Sequence, residues 1–157
     1  MDSPNYANIS PIGPRLKPTE YLTHFESGQL SSLSLLKLVQ RGFFISDVQA
    51  MLASSELYTS KGILSRDIRN SRRKAARCNI DASKARLSPL KSAVAYQYAI
   101  MLERALIIFG SQAFAEKWLN QPCKYLVDKA PLELLDNTFG FRSVEDYLTR
   151  FGSGIYQ

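Results

Sequence analysis

Ten Lys and Arg residues fall between positions 58 and 91 (61, 66, 69, 72, 73, 74, 77, 84, 86 and 91), against only Asp67 and Asp81, a local charge of +8. The whole 157-residue chain carries +6, which leaves the remainder slightly acidic at −2. A basic block set inside a slightly acidic chain has the chemistry of a surface that contacts phosphate. Taken alone it is equally the signature of a solvated helix face, so its arrangement on the helix has to decide. Over residues 63–77, a helical period sets Leu64, Ile68 and Ala75 within about 20° of one direction and points Arg66, Arg73 and Arg77 the opposite way, with Arg69 within about 60° of them. One face suits a core and the other an anion. The candidate DNA-binding set is therefore Lys61, Arg66, Arg69, Asn70, Arg72, Arg73, Lys74 and Arg77; an amide such as Asn70 can read an adenine edge as well as hold a phosphate.

Other chemistry is scarce. His24 is the single histidine, and Cys78 and Cys123 stand apart from one another and from any metal-ligand spacing. One histidine cannot furnish a zinc-type pair. No Ser/His/Asp set and no nucleotide-binding glycine loop suggest themselves either, so the expectation is a non-enzyme with no catalytic residues, no metal and no cofactor. Both cysteines are expected as reduced thiols, and His24 as an ordinary polar residue.

The elements that must hold the basic face are helical throughout, and all-α is the expected fold class. Residues 1–17 carry Pro4, Pro11, Gly13 and Pro14 without a basic start or a long apolar run, so they suit a loose arm rather than a secretory signal. The arm is taken as residues 1–30, and the cytoplasm is the expected address. Residues 31–41 crowd Leu33, Leu35, Leu36, Leu38 and Val39 onto a stripe that Gly42 closes. Ser46 is the expected cap of a second helix carrying Val48, Met51 and Leu52. Residues 54–62 read as a long turn and residues 79–86 as a loop. Ser88 followed by Pro89 predicts a helix start, a hydroxyl at the N-cap and proline at the first helical position. The helix from there to about Phe109 is apolar on nearly every side. Lys91, Gln97, Glu103 and Arg104 interrupt it too often for a membrane span, so it is expected as a buried core helix that can also serve a dimer interface.

Beyond Gly110, a short amphipathic helix is predicted with Phe114, Trp118 and Leu119 on one side, ended by Pro122. Pro131 opens another, and Ser143 with Asp146 is the expected start of a last helix from Val144 to about Phe151. The ending, Gly152-Ser153-Gly154-Ile155-Tyr156-Gln157, is a glycine tether with an aromatic grip at its tip; frayed chain ends have the same look.

Trp118-Leu119, Pro122, Leu126, Pro131, Leu134-Leu135, Gly140, Val144, Leu148-Thr149-Arg150 and Gly154-Ile155-Tyr156 follow an order that resembles the toxin-binding domain of the Xre/MbcA/ParS antitoxins. The likeness extends over residues 86–157 and more loosely over 31–86. It implies an Xre-like helix-turn-helix DNA-binding and dimerisation region at 31–110, then a toxin-binding domain with tail at 111–157. It implies as partners a NAD-consuming RES-domain toxin, operator double-stranded DNA and a second copy of the chain, with no membrane. Carried over, Arg150, Gly154, Ile155, Tyr156 and Gln157 would cover the toxin's active-site cleft, and Trp118, Pro122 and Pro131 would shape the module that holds them. The turn before the basic helix is longer than a regular helix-turn-helix carries. A stand-alone helix-turn-helix regulator without a toxin, and an adaptor without a nucleic-acid role, are the competing readings.

Overall fold

The computed structural model of the protein describes residues 16–26 and 28–154. Among them the fold is all-α: α1 (Pro18–Thr23), α2 (Ser32–Arg41), α3 (Ile45–Ala53), α4 (Glu56–Ser60), α5 (Ser65–Arg77), α6 (Pro89–Phe109), α7 (Gln112–Asn120), α8 (Pro131–Leu134) and α9 (Thr138–Gly152). The axis of the molecule is α6. Its start is the one read from the sequence, with Ser88 Oγ accepting from the Lys91 N–H and Pro89 at the first turn, and Gly110 ends it in the left-handed region at φ 71°. Ala95, Ala99 and Ala105 are fully buried, so their small side chains let neighbouring helices come close. α1, α2, α7 and α9 all pack on α6. Among the described residues it is the one helix long and apolar enough to cross a bilayer, and its buried face belongs to the protein's own core.

One buried cluster runs from Leu22 in α1 to Leu148 in α9. Tyr58 of α4 is its largest wholly buried side chain. Its hydroxyl donates to the Tyr98 carbonyl at 2.7 Å, and the two rings meet edge to face with centroids 5.5 Å apart. A polar seam ties the α3–α4 corner to α7: Ser55 Oγ donates to Glu116 Oε1 at 2.8 Å, while Gln112 Nε2 donates to Glu116 Oε1 and to the Ser54 carbonyl, both at 2.7 Å. Ser55 is fully buried, so this seam satisfies a group that would otherwise be costly to enclose.

Several local expectations are corrected by long-range partners. The second helix starts at Ile45 rather than after a Ser46 cap, because the Ile45 N–H is taken by the Ala85 carbonyl at 3.0 Å and the Leu87 N–H returns to the Phe43 carbonyl at 3.0 Å. Residues 79–86 are therefore more than a loop: they hold a 3₁₀ turn, Ala82–Lys84, and an antiparallel bridge between Phe44 and Arg86. The Arg86 guanidinium lies 3.6 Å over the Phe44 ring and donates to the Gly42 carbonyl. Gly42 has no alternative residue there, since its φ is 80° and a Cβ would run into the Leu87 carbonyl.

The expected turn at 54–62 contains α4, capped by Ser55, and the basic helix begins at Ser65 rather than Ile63. The last helix starts at Thr138, where Asn137 Oδ1 accepts from the Gly140 N–H at 2.8 Å; Ser143 lies inside that helix and donates to the Phe139 carbonyl. Phe114, expected on the inner side of α7 with Leu119, faces solvent, while Ala115 and Leu119 take the core. Within the stretch read as a flexible arm, residues 1–15 lie outside the described residues. Residues 18–23 are α1, with Leu22 buried and Thr19 Oγ1 donating to Glu103 Oε2 at 2.6 Å.

Candidate functional site

The basic helix α5 buries Ile68 and Ala75, with Leu64 buried at its N-cap, so the apolar stripe read from the sequence is the one that packs. Arg66, Arg69, Asn70, Arg72, Arg73, Lys74 and Arg77 are all exposed along the rest of the helix. Lys61 is exposed too, but it caps α4 and stands one corner away. Asp67, the acid of this helix, pairs with Lys91 Nζ at 3.5 Å, and Arg72 Nη2 donates to Gln49 Oε1 at 2.7 Å. Asp67 sits in the first turn and Lys74 and Arg77 in the last, an order that suits the helix dipole. The arrangement is a row of cations held on a rigid element with its one carboxylate engaged elsewhere, which can hold a polyanion.

The second surface lies where the end of α6, α7, a 3₁₀ turn at Lys124–Leu126 and α9 converge. Trp118 is half-buried between Phe109, with ring centroids 5.5 Å apart, and Tyr147, at 6.3 Å with the planes only 4° from parallel. Tyr147 also stacks on Tyr125 at 5.8 Å and Phe151 at 6.4 Å, and Phe151 returns to Phe109 at 5.5 Å. Five aromatic rings thus form one continuous ladder. Its outer rungs face solvent: Tyr125 is 67% exposed and Phe151 36%, and Val127 and Phe139 stand out on the same module at 82% and 83%. Exposed aromatic clusters of this kind are where binding energy concentrates in protein–protein contacts.

Of the residues named from the sequence, Trp118 sits in this ladder, Arg150 is exposed on α9, and Pro122 is exposed where α7 ends. Pro131 is buried at the start of α8, where it shapes the module from within. Gly154 is exposed at φ 75°, and Ile155, Tyr156 and Gln157 lie outside the described residues. Tyr125, Tyr147, Phe151 and Phe109 were missed by the sequence reading. The spacing of Tyr147 and Phe151, one helical turn apart on α9, was the signal available.

The module is braced from behind. Arg104 of α6 pairs with Glu145 of α9, Leu148 and Val144 are buried, and Gly140 lies against α8 so closely that a Cβ would strike the Leu134 carbonyl. A side chain at Gly140 would therefore push α9, and with it Tyr147 and Phe151, away from the ladder.

Residues 104–154 match the family described as the antitoxin Xre/MbcA/ParS C-terminal toxin-binding domain. The match begins at Arg104 and ends at Gly154, and so takes in the whole aromatic ladder. This third of the chain is thus similar to the toxin-binding domain of the Xre/MbcA/ParS antitoxins, and the likeness reaches no further than residues 104–154. No curated protein matches the chain.

Proposed function

We propose that the protein is a cytoplasmic type II antitoxin that neutralises a NAD-consuming RES-type toxin and binds its own operator DNA as a homodimer. The toxin docks on the ladder formed by Trp118, Tyr125, Tyr147 and Phe151. From its edge the chain continues through Gly152 and Gly154 into Ile155, Tyr156 and Gln157, which cover the toxin's active-site cleft. The observation that carries this reading is the position of the ladder: an aromatic surface with exposed outer rungs falls inside the family-matched residues, and Phe151 lies in the last turn of α9, which leads into the tail. Large rigid rings supply contact area at low entropic cost, and glycines let the backbone approach a cleft closely.

The DNA half of the reading rests on α5. Arg66, Arg69, Arg73 and Arg77 supply phosphate contacts, Asn70 a base edge, and Lys61, Arg72 and Lys74 the flanks, with α3 and α5 standing as the helix-turn-helix pair. Co-expression with the neighbouring reading frame tests the toxin half. The full chain is expected to preserve growth and NAD, and a chain lacking the last six residues is expected to lose both. NAD that stays protected after truncation would contradict the role given to the tail.

A further inference from the structure

Beneath the basic face lies a groove of about 560 Å³ between α3, α4 and α5, within the size range of small-molecule sites. Leu52, Ile63 and Ile68 make its wall apolar, and Arg69, Arg72 and Arg73 stand along its rim. Arg72 is pre-set, because Gln49 holds one of its guanidinium nitrogens at 2.7 Å. The groove also spans the joint that orients α5. Gly62 at φ 62° and Leu64 at φ 57° both lie in the left-handed region, and a leucine keeps that conformation only where its surroundings impose it.

Apolar walls under a rim of three guanidiniums complement one kind of occupant: a molecule with a flat apolar body and a single anionic head. We propose that this groove binds an anionic amphipathic small molecule, its ring or chain against Ile63 and Ile68 and its carboxylate, sulfonate or phosphate among Arg69, Arg72 and Arg73. Such a ligand draws on the same guanidiniums that α5 offers to DNA, so its binding and DNA binding oppose one another. This second half rests on the DNA reading; the site itself does not. A groove of similar size, about 530 Å³, lies between α1, α3 and α6, but Leu106 and Ile107 there are accompanied by Glu103 and Lys17 rather than by arginines. It serves as an internal control.

The probe is 8-anilinonaphthalene-1-sulfonate, titrated into the folded full chain and followed by fluorescence and by chemical-shift mapping. Saturable one-to-one binding is expected, with shifts centred on residues 58–73. Uncharged N-phenyl-1-naphthylamine, and the probe on an Arg72→Gln/Arg73→Gln variant, are each expected to bind at least about tenfold more weakly. Thr59 is exposed at the groove mouth, and Thr59→Trp is expected to weaken the probe similarly without touching any arginine. Affinity that survives all three changes, or shifts centred on Leu106 and Ile107, overturns the site. In a separate arm, saturating probe is expected to raise the Kd for a labelled duplex by at least about tenfold. Duplex binding that ignores the probe overturns the competition, and a chain that binds no duplex overturns it together with the DNA reading, while the probe arm still judges the site.

Discussion

Tyr58 and Tyr98 show how single residues set the limits of this fold. Burial, with Tyr98 and Glu116 nearby, holds the Tyr58 phenol well above its ordinary value; burial, with Asp136 nearby, pushes Tyr98 up to about 12. In the unfolded chain both ionise near pH 10. Above that pH the folded state binds more protons than the unfolded one, so stability falls as pH rises. Below pH 10 these two groups leave stability unchanged; from about 10 to 12 they erode it. Denaturant midpoints measured at pH 9, 10, 11 and 12 are expected to drop across the last three, and Tyr98→Phe is expected to flatten the drop. Trp118 was visible in the sequence at this scale and its partners were not, because Phe109, Tyr125, Tyr147 and Phe151 come together only when four elements fold.

At the scale of elements, α5 and α6 were legible because their signals are local. The Leu64, Ile68 and Ala75 stripe and the Ser88-Pro89 start need nothing beyond neighbours in the chain. The start of α3 was not legible, since the group that takes the Ile45 N–H is the Ala85 carbonyl, forty residues away. The start of α9 was misplaced for a different reason: Ser143 and Asn137 both offer capping oxygens, and Asn137 wins because Gly140 fits against Leu134 and lets the helix begin a turn and a half earlier. Helix α5 also carries a prediction of its own. If its cations meet phosphates, Arg69→Ala, Arg73→Ala and Arg77→Ala together should flatten the slope of log affinity against log salt by about 2–3, and weaken binding to any duplex alike. A slope unchanged by the triple substitution, measured by fluorescence anisotropy between about 50 and 200 mM salt, would mean that α5 is only a solvated face.

The whole molecule brings two chemically different surfaces onto one core. Helix α6 is long enough to serve both. Lys91 at its start holds Asp67 of the basic helix, while Arg104 and Phe109 near its end brace α9 and the aromatic ladder. The polar seam of Ser55, Gln112 and Glu116 ties the two regions again on another side. The all-α architecture and the likeness of residues 104–154 to an antitoxin toxin-binding domain could be read from the sequence, whereas the aromatic ladder could not, because it is a property of the assembled module rather than of any segment. The tail that follows Gly152, the last residue of α9, is the part of the proposed interface whose last three residues lie outside the described structure.

The affinity of the purified chain for its co-expressed toxin, measured by calorimetry for two single substitutions, tests the central claim. Tyr147→Ala removes the middle rung of the ladder and Arg73→Ala removes a cation from α5. The ladder account predicts that Tyr147→Ala weakens toxin binding by roughly 2 kcal/mol, about thirtyfold, while Arg73→Ala leaves it unchanged. Full affinity in Tyr147→Ala, with the loss falling on Arg73→Ala instead, would contradict it.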